Sequence, residues 1–367
     1  MKIIFVITGL GVGGAERQVC SLADQFARLG HSVLLIVMTG DIASRPREPS
    51  IDIVLLKMTK SPLGILRSYF KARRIIAIFK PDVIHSHMIH ANLFSRLLRL
   101  TTPFQRLICT AHSINEGGKV RMLAYRFTDR LCDLTTNVSQ EAVDKFIDYG
   151  VAPVNRIIAI HNGIDTARFS FKESCRVYIR DKLGLTDSSV LFLAVGRLTA
   201  AKDYPNLLTA FSSLSEKSPH VKLAIIGAGE EEQSLLTMIK QKGIDARVHF
   251  LGLRHDVADW MSAADVFVLS SAWEGFGLVV AEAMACKRVI VATDCGGVKE
   301  VVGDAGFLVP PKDSEKLASA MSDALALSLD SRTYLGGLAR KRVEDNYSLS
   351  SVCERWLRIY SGDYKVF

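Results

Sequence analysis

Short apolar runs alternate with amphipathic stretches along almost the whole chain, and that rhythm limits the fold more than any other feature. In the first half, Ile3–Thr8, Val33–Met38, Ile53–Leu56, Val83–Ser86, Leu107–Thr110 and Leu134–Val138 read as strands. Ala15–Leu29, Ile65–Phe79, Asn92–Leu100, Val120–Cys132 and Gln140–Tyr149 read as the helices that follow them. The second half repeats the pattern. Its strands are Val190–Val195, Lys222–Ile226, Val248–Phe250, Val266–Leu269 and Val289–Thr293. Its helices are Asn206–Leu214, Glu231–Lys242, Val257–Ala263, Leu278–Ala285 and Glu315–Leu325, with a last helix from about Leu349 to Tyr360. Continuous apolar runs mark strands buried on both faces, hence a parallel sheet covered by helices. Two such halves in 367 residues predict an α/β protein of two Rossmann-like, doubly wound domains. The seam falls at His161-Asn162-Gly163-Ile164-Asp165, a polar stretch after the apolar Ile157–Ile160. The expected domains are 1–162 and 163–348.

Doubly wound sheets bind ligands outside the carboxyl ends of their strands. The richest loop there follows Val266–Leu269 and runs from Ser270 through Trp273, Glu274, Gly275, Phe276 and Gly277 into Leu278, Val279 and the helix. Free backbone N–H groups and the helix dipole at such a start favour an anion, here a phosphate. Glu274 stands before the helix, and Glu282 lies one turn beyond Leu278 on its face. A phosphate cradle flanked by two hydroxyl-accepting carboxylates suits a nucleotide sugar, with phosphates in the middle, a sugar at one end and a ribose at the other.

At these residues the chain resembles glycosyltransferase family 4, the retaining family of the GT-B fold. Its signature is a pair of glutamates separated by seven residues in a phrase like EGFGLVVAEAMA, and Glu274 and Glu282 match it with the glycines in place. The resemblance implies a GT-B architecture, two Rossmann-like domains facing across a cleft. It also implies that a terminal helix, about 349–367, crosses back to the first domain. An N-G-I-D phrase like that at Asn162–Asp165 lies at the interdomain connection in this family.

Other loops supply weaker signals. Gly9, Gly11 and Gly14 spell the dinucleotide fingerprint after strand one. That fingerprint also wants an acid about 20 residues later at the tip of strand two. Residues 32–38 hold none, and Asp41 comes only after the strand. This weakens the reading as an NAD-dependent oxidoreductase without removing it. By resemblance, Gly13 and Gly14 of Gly13-Gly14-Ala15-Glu16 lie against the donor diphosphate and the acceptor. After Val190–Val195 come Gly196, Arg197 and, five residues on, Lys202. Two cations there would neutralise a diphosphate and the charge building on a leaving nucleotide. Gly227 and Gly229 allow close backbone approach to a nucleotide. The resemblance places the base near Leu253. It also supplies a histidine, here His112, to bond the transferred sugar. His85, His87 and His90 stand at a strand end without carboxylate partners and read as loop histidines near the acceptor rather than a metal site.

Composition sets outer bounds. Residues 1–165 carry 21 Lys and Arg against 13 Asp and Glu, and the rest of the chain 25 against 25. The whole excess of +8 therefore lies in the first half, which suggests an anionic partner such as a phospholipid surface. One basic segment, with Lys57, Lys60, Arg67, Lys71, Arg73, Arg74 and Lys80, interleaves Leu63, Ile65, Leu66, Tyr69, Phe70, Ile76 and Phe79. It reads either as a helix lying on an anionic leaflet or as one packing Leu66, Phe70, Ile76 and Phe79 on its sheet. Seven scattered cysteines without a C-x-x-C pair argue for reduced thiols and a cytoplasmic protein, peripheral on the membrane's inner face at most. No apolar run reaches the roughly 18–20 residues of a membrane span. No D-x-D motif is present, so no metal and no cofactor are expected.

The reading is a retaining glycosyltransferase of hexosyl or N-acetylhexosaminyl type. It takes a nucleotide-sugar donor, UDP-linked, and a glycan or polyprenyl-diphosphate-linked acceptor, in cell-surface polysaccharide synthesis such as lipopolysaccharide or O-antigen. No nucleic-acid partner is expected. A GT-B nucleotide-sugar 2-epimerase, using the donor alone, and the NAD enzyme remain as alternatives.

Overall fold

A computed structural model describes residues 1–11, 13–114 and 117–363. Val12 of the glycine loop and the end of the expected terminal segment, residues 364–367, lie outside the described residues, as do Asn115 and Glu116. The chain divides into two compact units. One comprises Met1–Gly163 and the segment from Leu349 onward; the other is Ile164–Ser348.

The first unit runs β1 (Lys2–Ile7), α1 (Gly14–Arg28), β2 (Ser32–Val37), β3 (Asp52–Leu55), α2 (Pro62–Phe79), β4 (Val83–His87), α3 (Ile89–Arg99), β5 (Arg106–Ala111), α4 (Lys119–Thr128), β6 (Leu134–Asn137), α5 (Gln140–Asp148) and β7 (Ile157–Ala159). The second runs α6 (Glu173–Lys182), β8 (Val190–Val195), α7 (Tyr204–Lys217), β9 (Val221–Ile226), α8 (Glu232–Gln241), β10 (Val248–Phe250), α9 (Val257–Ala263), β11 (Val266–Leu269), α10 (Leu278–Ala285), β12 (Val289–Thr293), α11 (Val298–Val302), β13 (Phe307–Val309), α12 (Ser314–Ala326) and α13 (Leu329–Tyr347). A final helix, α14 (Leu349–Ser361), belongs to the first unit.

Both sheets are wholly parallel. Their orders are β3-β2-β1-β4-β5-β6-β7 and β10-β9-β8-β11-β12-β13. In each, the winding direction reverses once, between β1 and β4 and between β8 and β11. Crossover helices diverge at that point and leave a crevice at the strands' carboxyl ends. The loops after β1, β4, β8 and β11 are therefore the ones topology exposes to a ligand.

Several elements differ from the sequence reading. The edge strands β7 and β13, three residues each, are additional to the strands expected from the sequence. α6 buries only Ile179 and Arg180, so it lacks an apolar stripe. α13 contains Gly336 and Gly337, which read as breakers. A Cβ at Gly336 would collide with the Lys287 carbonyl, so that glycine is a packing contact instead. The helix expected over Val120–Cys132 stops at Thr128 and passes into a 3-10 turn, Asp129–Leu131. There the buried Asp129 carboxylate accepts from Arg156 Nε at 2.6 Å and Thr135 Oγ1 at 3.2 Å. α2 starts three residues before Ile65 because the Ser61 hydroxyl caps Gly64 N–H at 3.1 Å.

α2 packs Ile76 and Phe79 on the core, as the packing alternative has it, with Ser68 and Ala72 also buried, while Leu66 and Phe70 stay exposed, which corrects that alternative for those two residues. Among the described residues no helix is long and apolar enough to cross a membrane.

α14 completes the core between α1 and the first sheet. Trp356 is 2% exposed and lies over His85, ring centroids 4.3 Å apart. Tyr360 Oη meets His85 Nδ1 at 2.6 Å. Trp356→Ala should remove about 3–5 kcal/mol of stability by opening a cavity under the sheet. Urea unfolding measures it, and a loss below about 1 kcal/mol would show that α14 is not part of this core.

Candidate active site

The second unit's switch point gathers the residues picked out in the loops after β8 and β11. Lys202 Nζ forms an ion pair with Glu274 Oε1. Ser271 Oγ donates to the same oxygen at 2.7 Å. Glu274 Oε2 has no partner among the described residues. The two side chains are only 18% and 13% exposed, so solvent screens their attraction weakly. Ser270 Oγ donates to the Lys202 carbonyl at 2.8 Å, and Ala272 N–H to the Ala201 carbonyl at 2.9 Å. These bonds tie the two loops together below the ion pair.

Glycines make this geometry possible. Gly277 caps α10 at φ +83°, a left-handed conformation that side-chain-bearing residues resist. Its carbonyl accepts Val280 N–H at 2.9 Å. By helix geometry Leu278 and Val279 then lack intrahelical acceptors for their own N–H groups. Phe276 is no ligand side chain: it is buried with its ring 5.5 Å from that of Tyr347, anchoring the loop. Glu282 is buried at 3% exposure. Gly227 and Gly229 do permit a close approach, but to backbone within the protein. A Cβ on either would collide with the carbonyl of Gly196 or of Leu198. Leu198 N–H bonds Ala228 O at 3.0 Å across this contact. Arg197 is exposed and has no side-chain partner among the described residues, and Leu253 is 63% exposed.

Three participants went unnoticed in the sequence. Ser271 lies inside the signature phrase, yet a serine there has no distinguishing neighbour. Gly296 sits at φ +56°, where a Cβ would strike the Glu274 carbonyl, and Gly297 N–H donates to Gly275 O at 3.2 Å. The doublet Gly296-Gly297 after an apolar run was the available signal. Tyr204 Oη donates to the Gly196 carbonyl at 3.2 Å. Burial, and then the Glu274 charge, raise its pKa, so it stays a donor.

The first unit holds the other candidates. The Glu16 side chain folds back over the glycine loop, where a Cβ on Gly13 would collide with its carboxylate. Gly14 is the first residue of α1. A carboxylate over this helix start repels a diphosphate, which counts against the NAD reading and equally against a donor diphosphate lying on Gly13 and Gly14. His112 Nε2 meets His87 Nδ1 at 3.0 Å at the carboxyl ends of β5 and β4. Burial lowers the His112 pKa to about 4. His85 and His87 are also lowered well below the ordinary range, by burial first and then by neighbouring histidines. All three rings are thus neutral at pH 7, and one of the facing nitrogens of His87 and His112 carries a proton while the other accepts. Among the described residues no three His, Cys, Asp or Glu side chains gather as a metal-ligand set.

Residues 177–342 match the model of glycosyl transferases group 1, and residues 12–168 that of glycosyltransferase family 4. The chain belongs to the family 4 glycosyltransferases. Its two sheets are those of the GT-B fold. It is 28% identical to N-acetyl-alpha-D-glucosaminyl L-malate synthase of Bacillus anthracis, over 96% of this chain and 94% of that one. It is 27% identical to a Campylobacter jejuni enzyme, over 83% and 84% of the two chains. That enzyme is N-acetylgalactosamine-N,N'-diacetylbacillosaminyl-diphospho-undecaprenol 4-alpha-N-acetylgalactosaminyltransferase. Among solved structures, Anabaena Alr3699/HepE in complex with UDP superposes with a TM-score of 0.88 at 23% identity, covering 99% of this chain and all of the other.

The histidines make stability depend on pH. A lowered folded-state pKa means that the unfolded chain binds protons first as pH falls. The contribution from His112 is complete above about pH 6.5, its unfolded value, and is lost as pH drops toward about 4. Unfolding free energies across that window should fall for the wild type and fall less steeply for His112→Gln. Parallel curves would show that His112 titrates normally in the folded protein.

Proposed function

We propose that this glycosyltransferase moves a sugar, hexosyl or N-acetylhexosaminyl, from a UDP-linked donor to a glycan or polyprenyl-diphosphate-linked acceptor with retention of the anomeric configuration. The observation that carries this reading is the Lys202–Glu274–Ser271 cluster beside the start of α10. Lys202 and Arg197 take the diphosphate, with the Leu278 and Val279 N–H groups completing the cradle. Glu274, its Oε2 unpartnered, accepts a hydroxyl of the donor sugar. Its place beside the phosphate cradle suits contact with the sugar better than attack on the opposite face. The acceptor then attacks from the side of the departing diphosphate. Glu282 accepts from the ribose, and backbone near Leu253 bonds the base. His112, neutral, exchanges a hydrogen bond with a sugar hydroxyl. The UDP bound to the Anabaena neighbour and the undecaprenol-linked substrate named for the Campylobacter relative support this choice of donor and acceptor classes. An NAD enzyme is disfavoured by Glu16, and a 2-epimerase would need no acceptor at all.

Charge on the leaving nucleotide is met by Lys202 and Arg197, with no role for a metal. The acceptor is met at a membrane surface in cell-surface polysaccharide synthesis. α2 favours that setting: Leu63, Leu66, Phe70 and Ile78 are all more than half exposed, among Arg67, Arg73 and Arg74. Apolar side chains inserted beneath a rim of cations fit an anionic leaflet.

Arg197→Ala and Lys202→Ala should each lower turnover by about two to four orders of magnitude with the fold intact. Near-normal rates in both would remove the phosphate role. Activity should persist in EDTA; loss that manganese or magnesium restores would overturn the metal-free mechanism. Arg73→Glu with Arg74→Glu should release the protein from phosphatidylglycerol vesicles at low salt, and salt should release the wild type. Unchanged sedimentation of the double variant would dissociate α2 from the membrane.

A further inference from the structure

His87 ends β4 at 1% exposure, whereas His112, one residue beyond β5, stays partly exposed. A ligand outside the strands' carboxyl ends therefore meets His112 and not His87. The two side chains share one hydrogen bond, between His87 Nδ1 and His112 Nε2, 3.0 Å apart. Strand register fixes this contact, because His87 lies opposite Thr110, two residues before His112.

A neutral imidazole carries its proton on one nitrogen only, and the bond made by the other nitrogen decides which. Two arrangements fit the contact: His87 donates, or His112 donates. If His112 donates, His87 accepts at Nδ1, and its own proton must sit on Nε2. That nitrogen is buried and has no partner among the described residues. Its neighbours explain why. The Phe5 ring, with its centroid 5.7 Å from that of His87, has no acceptor to offer. The His85 ring, 4.0 Å away, has both nitrogens engaged, Nδ1 with Tyr360 Oη and Nε2 with Thr110 Oγ1, each at 2.6 Å. A proton on His87 Nε2 would thus be a buried N–H with nothing to accept it, and such orphans are rare and costly. If His87 donates, only a lone pair is left unbonded there, which is the smaller loss.

We propose that His87 is a positioning residue for His112: it donates from Nδ1 to His112 Nε2 and so keeps the His112 proton on Nδ1. The assignment rests on the transferase reading and deepens it. His112 becomes a hydrogen-bond donor to the sugar rather than an acceptor. That selects a sugar position bearing an accepting oxygen, whether a hydroxyl, an acetamido carbonyl or a carboxylate. A deoxy or an ammonium-bearing position offers the ring nothing.

Nitrogen-15 NMR of the full chain, labelled in histidine, reads the tautomer at neutral pH without ligand, with His112→Gln identifying the His112 signals. Wild-type protein should carry the His112 proton on Nδ1. His87→Leu should shift it wholly or partly to Nε2, and His87→Asn, whose amide can donate in place of Nδ1, should restore it. Calorimetry with UDP-glucose and UDP-N-acetylglucosamine then reads the consequence. The tighter ligand of the two should bind His87→Leu about tenfold more weakly and His87→Asn nearly as wild type. UDP, which has no sugar, should bind all three alike. A wild-type proton on His112 Nε2, or a tautomer that His87→Leu leaves unchanged, overturns the assignment. Equal weakening in both variants would mark a packing role and overturn it too. Should His87→Leu fail to fold, the wild-type tautomer and His87→Asn decide. Failure of UDP to bind any of the three proteins would overturn the donor reading alone, since the tautomer is read without ligand.

Discussion

The pairing of Lys202 with Glu274 is the interaction on which the site depends. These residues come from loops after β8 and β11, the two strands where the second sheet reverses its winding. Helices on opposite faces diverge there, so the pair stands in a crevice that the topology opens. Lysine and glutamate neutralise one another, which lets a largely buried cation and anion coexist without either being left unmatched. In the function proposed above, a nucleotide sugar would offer each another partner: phosphate for the cation, hydroxyls for the carboxylate.

The pair keeps its position because backbone, not side chains, fills the space around it. The Gly196 carbonyl occupies the room left by Gly227 and the Leu198 backbone that left by Gly229, and the Glu274 carbonyl presses against Gly296. Close packing of loop against loop leaves few conformations open, so the ligand meets groups already in place. In the first unit a different economy holds. His85, His87 and His112 are kept neutral by burial.

Much of this was legible before the fold was known. Long buried strands such as Val190–Val195 announce themselves, since a strand covered on both faces must be apolar throughout. The Glu274–Glu282 phrase was legible because a tight turn into a helix start demands glycine at a fixed place, which Gly277 at φ +83° occupies. What escaped had a physical reason. β13 is a three-residue edge strand with one buried residue, and β7 lies in an apolar run directly before the polar seam. α13 hides behind glycines that serve packing. Gly227 and Gly229 were legible as close-approach glycines, but sequence could not say that the approaching atoms belong to Gly196 and Leu198. The His87–His112 contact joins residues 25 apart through strand register, which no local pattern encodes.

If the donor's diphosphate takes Lys202 from Glu274, removing the charge of Glu274 should free the lysine for phosphate. Calorimetric titration of UDP into Glu274→Gln and wild-type protein tests this directly. UDP, which lacks the sugar that Glu274 would hold, should bind the variant several-fold more tightly, a gain of about 1 kcal/mol. UDP binding that is unchanged or weaker in the variant would contradict the claim that the ion pair is what the donor divides.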